Sequence, residues 1–300
     1  MTKKKRKYRR IILTLLVLPI LLAAVWAALL LFSHGSPTDE YEHHLSVLTY
    51  NTHQMGMYEK AYQNRVIRYL QRQNADIICL QEVDVYKNEK YLTLPELRKA
   101  LDKYPYGYFD FKVHNKRHQY GLAVFSKYPL INKNTVRYSS RGNISDYCDV
   151  VIGKDTIRLF NNHLESNRLV VQDLPDSIES TALKESVQRI SDKLESARKI
   201  RQLQAKAISA EIKKSPYPVI VAGDFNVTPL SYTYLKIRGG RLRDCFLATS
   251  WGKWGATVSK RKIGVRIDYL LCSKELHPTE THIDHLNCSD HYPVTTVIGW

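Results

Sequence analysis

Pro218-Val219-Ile220-Val221-Ala222-Gly223-Asp224-Phe225-Asn226 is the stretch on which the reading of this chain turns. Val219 to Ala222 are four consecutive apolar residues, with the composition of a buried strand. Gly223 lets the backbone turn tightly, and beyond it stand Asp224 and Asn226. Two residues apart, they face the same side in extended geometry. A carboxylate and a carboxamide aimed at one spot can bind a metal or orient a water. They serve equally as plain turn residues, so the choice rests on what the other strands carry.

Six more apolar runs of strand length, rich in β-branched and aromatic residues, share the chain with this one: 47–51, 76–82, 121–126, 156–163, 267–272 and 293–298. Helical periodicity separates some of them. Residues 58–74 place Val66, Ile67 and Leu70 on one face, and 181–214 read as one long amphipathic helix or two in succession. The pattern predicts an α+β fold of packed sheets with outer helices. Asn51, Glu82, His163 and the Asp224/Asn226 pair all come at carboxy-terminal strand ends. Asp268 comes at the start of its strand, and Asp290-His291 precede theirs. If these groups share one site, the last two strands run against the others. The sheets are then mixed or antiparallel, not a parallel doubly wound sheet with its site at one set of ends.

The amino terminus is of another kind. Residues 1–10 hold seven Lys and Arg and read as a cytoplasmic tail. Ile11 to Phe32 follow without a charge, about 33 Å of helix at ~1.5 Å per residue, enough to span a bilayer. The basic residues before it orient the remainder to the far side. A cleaved signal peptide is the alternative, but its apolar region is shorter and ends in small residues, whereas Leu29-Leu30-Leu31-Phe32 continues past the alanines. Residues 33–44 are a polar linker, and 45–300 form the exported, membrane-tethered domain. Both readings place that domain outside the cytoplasm, periplasmic or extracellular. The formal charge is +16; removing the seven basic residues of the tail leaves +9, a balance suited to polyanions or anionic headgroups. Five cysteines at irregular spacing make neither a disulfide scaffold nor a zinc site.

Seven stretches in order resemble the endonuclease/exonuclease/phosphatase family, which has the deoxyribonuclease I-like fold: LTYN (48–51), LQEV (80–83), YGLAVFSKYPL (120–130), NNHLES (161–166), GDFN (223–226), RIDYLL (266–271) and SDHYPV (289–294). The resemblance implies a two-sheet αβ-sandwich and metal-dependent phosphoester hydrolysis in a bacterial, membrane-anchored member. Carried over by motif, Glu82 is the main Mg²⁺ ligand (Mn²⁺ being the substitute), with Asn51 beside it and Asp290 assisting. Asp224 orients or deprotonates the attacking water, and Asn226 holds it or the phosphate. His291 contacts the phosphoryl oxygens and is fixed by Asp268, while His163 sits toward the phosphate or leaving group. His118-Gln119-Tyr120 lacks the glutamate that partners the His163 equivalent in the deoxyribonuclease-like branch.

The expected substrate is an anionic phosphoester, either nucleic acid or a phospholipid headgroup. The domain charge favours the first and the membrane anchor the second. Trp251 and Trp254, in a Gly-containing loop, are read either as core packing or as a lipid contact. The contrasting hypothesis is a tethered, non-catalytic binding module on the same fold. No feature points to an oligomer.

Overall fold

The computed structural model describes residues 41–300 except 57–58, 141, 168–179, 251–252, 254 and 259–263. The basic tail, the apolar segment 11–32, most of the linker, Trp251 and Trp254 lie outside the described residues. Among those described, no helix is long and apolar enough to cross a membrane.

Two six-stranded sheets pack face to face. The first holds β1 (His44–Asn51), β2 (Ile77–Tyr86), β3 (Tyr106–His114), β4 (His118–Ser126), β11 (His277–Ile283) and β12 (Val294–Gly299), in the order β11-β12-β1-β2-β4-β3. The second holds β5 (Leu130–Thr135), β6 (Ile144–Ile152), β7 (Asp155–His163), β8 (Val219–Asp224), β9 (Leu242–Asp244) and β10 (Asp268–Ser273), in the order β5-β6-β7-β8-β10-β9. At the centre of each sheet is one parallel pair, β1 with β2 and β7 with β8. The two late strands run the other way, as the positions of Asp268 and His291 require: β12 is antiparallel to β1, and β10 to β8 with Asp268 opposite Asp224.

Side chains alternate between the faces of each strand, and this divides the core into three clusters. Leu45, Val47, Ile77, Cys79, Ile157, Leu159, Ile220, Ala222, Leu270 and Cys272 fill the space between the sheets. Leu48, Tyr50, Ile78 and Leu80 turn outward against two short helices, α1 (Arg65–Arg72) and α2 (Leu94–Ala100). Phe160, Val219, Val221, Tyr269 and Leu271 turn outward beneath the long helix α3 (Ser180–Lys213) and α4 (Tyr232–Arg238). A fifth helix, α5 (Cys245–Thr249), follows β9.

Helix α1 begins later than the periodicity over 58–74 predicts. Asn64 caps it, its side chain accepting from the Ile67 N–H, which satisfies a first-turn donor and fixes the start. The pattern over 181–214 becomes one helix of 34 residues. Its stripe Ala197, Arg201, Gln204, Ala205, Ile208 and Ile212 is buried, while Leu183, Val187 and Leu194 earlier in the helix remain exposed. All five cysteines are free thiols, four of them buried.

Candidate active site

The site is where the inter-sheet rows stop being apolar. Continued in steps of two, the inward rows read Val47-Thr49-Asn51, Cys79-Gln81, Leu159-Asn161-His163, Ala222-Asp224 and Leu270-Asp268. A polar layer comes first: Gln81 Nε2 donates to Asn161 Oδ1 across the sheets at 2.7 Å and to Thr49 Oγ1 at 3.0 Å. Asn161 Nδ2 in turn donates to the Leu80 carbonyl. The carboxylates and imidazoles stand above this layer, on a base whose amides have partners within the protein.

Glu82 reaches the site by a bulge. Pairing of β2 with β4 jumps from Leu80↔Ala123 to Val83↔Gly121, and Glu82 has φ 54. Two residues then oppose one, which turns Glu82 out of strict alternation. Extended geometry does not hold for Asn226 either. Strand β8 ends at Asp224, and Asn226 has φ 54, its N–H donating to Asp224 Oδ1 at 2.8 Å. The aspartate side chain thus closes its own turn and brings the carboxamide back, so that Asn226 Nδ2 donates to Asp224 Oδ2 and to the Leu164 carbonyl. Gly223 lies inside the strand, at φ 130. A Cβ there would sit 2.0 Å from the Asn162 carbonyl oxygen of β7, so glycine is what lets β7 and β8 close up beneath the site.

Asp224 is the hub and is almost fully buried. Its Oδ2 accepts from Asn51 Nδ2 at 3.0 Å and lies 3.8 Å from His291 Nε2 and 3.9 Å from His163 Nε2. Burial first, and then the Asp268 charge, push its carboxyl up to about 6. His291 faces Asp268 through Nδ1, at 2.9 and 3.1 Å from the two carboxylate oxygens. Burial alone would lower its pKa, but the carboxylates of Asp268 and Asp224 outweigh that and raise it to about 10. At neutral pH the ring is therefore an imidazolium. The Asp268 N–H donates to Thr257 Oγ1. Ser289 Oγ accepts from the His291 N–H and donates to the Asn51 carbonyl, tying the SDH turn to the end of β1.

His163 Nε2 is buried without a hydrogen-bond partner, 3.6 Å from Glu82 Oε1. Among the described residues no carboxylate hydrogen-bonds His163, Glu82 and Asp224 being the nearest at 3.6 and 3.9 Å, while His118 pairs at 2.7 Å with Asp84. Asn51 Nδ2 also donates to Glu82 Oε1, and Asn51 Oδ1 accepts from the His53 N–H. In this orientation Asn51 positions the two carboxylates. Sequence reasoning missed His53, whose Nδ1 lies 3.2 Å from Asp290 Oδ1; it follows the LTYN motif and carries no signal of its own.

A cleft of about 830 Å³ opens over this cluster, lined by Glu82, Asp224, Asn226, Asp290 and His291 on one side and by Leu194, Arg198 and Arg201 of α3 on another. Among the described residues, Asp224, Asp268 and His291 are the one group of three such side chains with ligand atoms all within 4.8 Å of one another. They are buried and committed to each other. Glu82 and Asp290 are 19% and 26% exposed in the cleft. They offer hard oxygen donors with room for water, the donor set that suits a small divalent cation.

A model of the endonuclease/exonuclease/phosphatase family matches residues 48–291. None of the curated proteins compared with the chain matches it. Solved structures do. An endonuclease/exonuclease/phosphatase of Beutenbergia cavernae DSM 12333 superposes with a TM-score of 0.61 at 16% identity, over 86% of this chain and 72% of that one. Truncated TDP2 of Caenorhabditis elegans gives 0.59 at 15%, over 87% and 100%. A beta toxin of Staphylococcus aureus gives 0.55 at 16%, over 84% and 99%. At such identities these structures speak for the sandwich fold alone. The family match spans six of the motifs, the seventh as far as His291, and every residue of the Asp224 cluster, and by it the chain belongs to the endonuclease/exonuclease/phosphatase family.

Proposed function

We propose that this protein hydrolyses phosphodiester bonds with a divalent cation, Mg²⁺ by the chemistry of its donors, and that it acts outside the cytoplasm on a membrane tether. The observation that carries the catalytic reading is the His291 imidazolium held between Asp268 and Asp224 at the floor of an open cleft. Cation, carboxylate base and a second imidazole face one space, as attack on an anionic ester requires. Glu82 and Asp290 would hold the metal, which when bound neutralises the phosphate and polarises its oxygens.

The chain's own residues do the rest. Asp224, at about 6, is ionised at neutral pH yet basic enough to take a proton from water. Asn51 and Asn226 fix its Oδ2 by donating to it. The water oxygen bonds to phosphorus as its proton passes to Asp224, and the bond from phosphorus to the leaving oxygen breaks. His291 Nε2–H holds a phosphoryl oxygen whose charge grows in the transition state. His163 Nε2, buried and unpartnered, is assigned to a phosphoryl or leaving-group oxygen.

Support for the tether comes from the 22 uncharged residues 11–32 behind a basic tail. The test is a panel of supercoiled plasmid, single-stranded oligonucleotide and phosphodiester lipids, with Mg²⁺ or EDTA. Metal-dependent cleavage of one class that is lost in Asp224→Asn, with the fold retained, is expected. Absence of hydrolysis across the panel overturns the catalytic reading in favour of a binding module.

A further inference from the structure

The α3 wall of the cleft belongs to none of the seven motifs, and it carries a charge the mechanism does not use. Arg201 is 5% exposed, yet it lines the cleft with Asp224 and Asn226. Its Nη1 donates to the Glu165 carbonyl at 2.6 Å, and its Nε is buried without a partner. No carboxylate among the described residues lies within ion-pairing distance of it. The carboxylates of Glu165 and Asp224 act on it from beyond contact, and a buried guanidinium whose hydrogen bond goes to a neutral carbonyl is still a costly arrangement, because charged groups taken from water need a counter-charge in contact. Burial lowers the affinity of Arg201 for its proton, but arginine stays charged in proteins. The cleft side is open to an anion. One turn earlier, Arg198 lines the same wall; it is exposed and paired with Glu195 through two contacts of 2.7 Å. A surface pair of this kind is weak and exchanges readily.

The position of Arg201 says which anion. Asn226, beside the Asp224 base, donates to the Leu164 carbonyl, while Arg201 donates to the next carbonyl, that of Glu165. Consecutive residues are about 3.8 Å apart, so the guanidinium and the Asn226 carboxamide are anchored on neighbouring carbonyls and line the cleft together. We propose that Arg201, with Arg198 at the rim, forms a second anion subsite. It takes the phosphate next to the scissile one in a nucleic acid strand, with the planar fork matched to phosphate oxygens. The proposal rests on the phosphoesterase reading, and it makes these two arginines specificity determinants for substrates with adjacent phosphates.

The test compares two chromogenic esters on the full chain with Mg²⁺: the p-nitrophenyl ester of thymidine 5′-phosphate, and the same ester carrying a 3′-phosphate. Wild type is expected to prefer the two-phosphate ester. Arg201→Gln and Arg198→Gln should each lower that preference, as a ratio of kcat/KM, at least tenfold. The loss should lie in the KM of the two-phosphate ester, with partial recovery in Arg201→Lys. No preference in wild type, or an equal loss on both esters, overturns the subsite. Should Arg201→Gln fail to fold, Arg198→Gln at the exposed rim decides by the same ratio. A preference seen only for glycerophosphoinositol 4-phosphate over glycerophosphoinositol overturns the strand in favour of a phosphorylated headgroup. If wild type cleaves neither ester, the hydrolase reading fails, and calorimetric pyrophosphate binding then judges the subsite. At least tenfold weaker binding in Arg198→Gln sustains it, and unchanged binding overturns it.

Discussion

Asp268→Asn tests the electrostatics of the site with little change of shape. Asp268 is buried, and both its carboxylate oxygens face His291 Nδ1. Its charge is the foremost reason the imidazole rises from 6.5 to about 10 against the opposing effect of burial. That rise of about 3.5 units corresponds to about 5 kcal/mol favouring the imidazolium, at ~1.36 kcal/mol per unit. With the charge removed, burial, the largest effect on the ring, is opposed by Asp224 and Asp290 alone, so the pKa falls to the ordinary 6.5 or below. At 6.5 about 3% of the mutant rings carry the proton at pH 8, a loss of at least about 30-fold in kcat/KM before any cost of ring orientation. Near pH 6.5 half the rings are protonated, so the deficit should shrink to about two- to threefold. The assay is kcat/KM on a p-nitrophenyl phosphodiester from pH 6 to 9.5 in saturating Mg²⁺, with circular dichroism of the mutant as a fold check. Wild type should show a plateau bounded below by Asp224 ionisation and above by His291 deprotonation. A mutant deficit that is constant across pH, or within threefold of wild type at pH 8, would refute the assigned role of the imidazolium.

The same pair should appear in stability. Because His291 has a higher pKa folded than unfolded, its contribution is fully present below about 6.5 and is lost as pH rises through about 10. In EDTA the urea midpoint should therefore fall between pH 7 and pH 9.5, and fall less in Asp268→Asn; identical slopes for the two proteins would contradict this. Glu82→Gln removes one of the two partly exposed carboxylates of the cleft assigned to the metal. It should weaken Mg²⁺ binding at least tenfold by calorimetry while leaving the melting temperature in EDTA within a few degrees, and unchanged affinity would move the metal elsewhere. Gly223→Ala forces a methyl to 2.0 Å from the Asn162 carbonyl at φ 130. It should cost about 3 kcal/mol or more in urea unfolding, and a loss below ~1 kcal/mol would show that β7 and β8 can separate freely.

Much of the architecture was legible because strand ends change character abruptly. A run such as Val219 to Ala222 closing on Asp224 tells where burial ends and chemistry starts, and Asp268 at the opposite end of its run demanded an antiparallel β10. Strands β3, β5, β6, β9 and β11 were not legible, β9 having only three residues. Edge strand β5 buries only Leu130, and β3 and β11 are half exposed, so their apolar signal is diluted. Strand β6 hides buried Asp146 and Asp149, which read as surface residues until Arg158 is seen paired with Asp149.

The sequence by itself determined the family, the two-sheet fold and the residue types of the Asp224 cluster, because those types recur in order at strand ends. The tertiary structure alone decided how they meet. The bulge that turns Glu82 inward depends on how β2 pairs with β4, and the turn at Asn226 depends on a side-chain hydrogen bond. The α3 wall depends on where a long helix comes to rest against the second sheet. Each is a matter of long-range pairing and packing, and alternation along one strand carries no record of it.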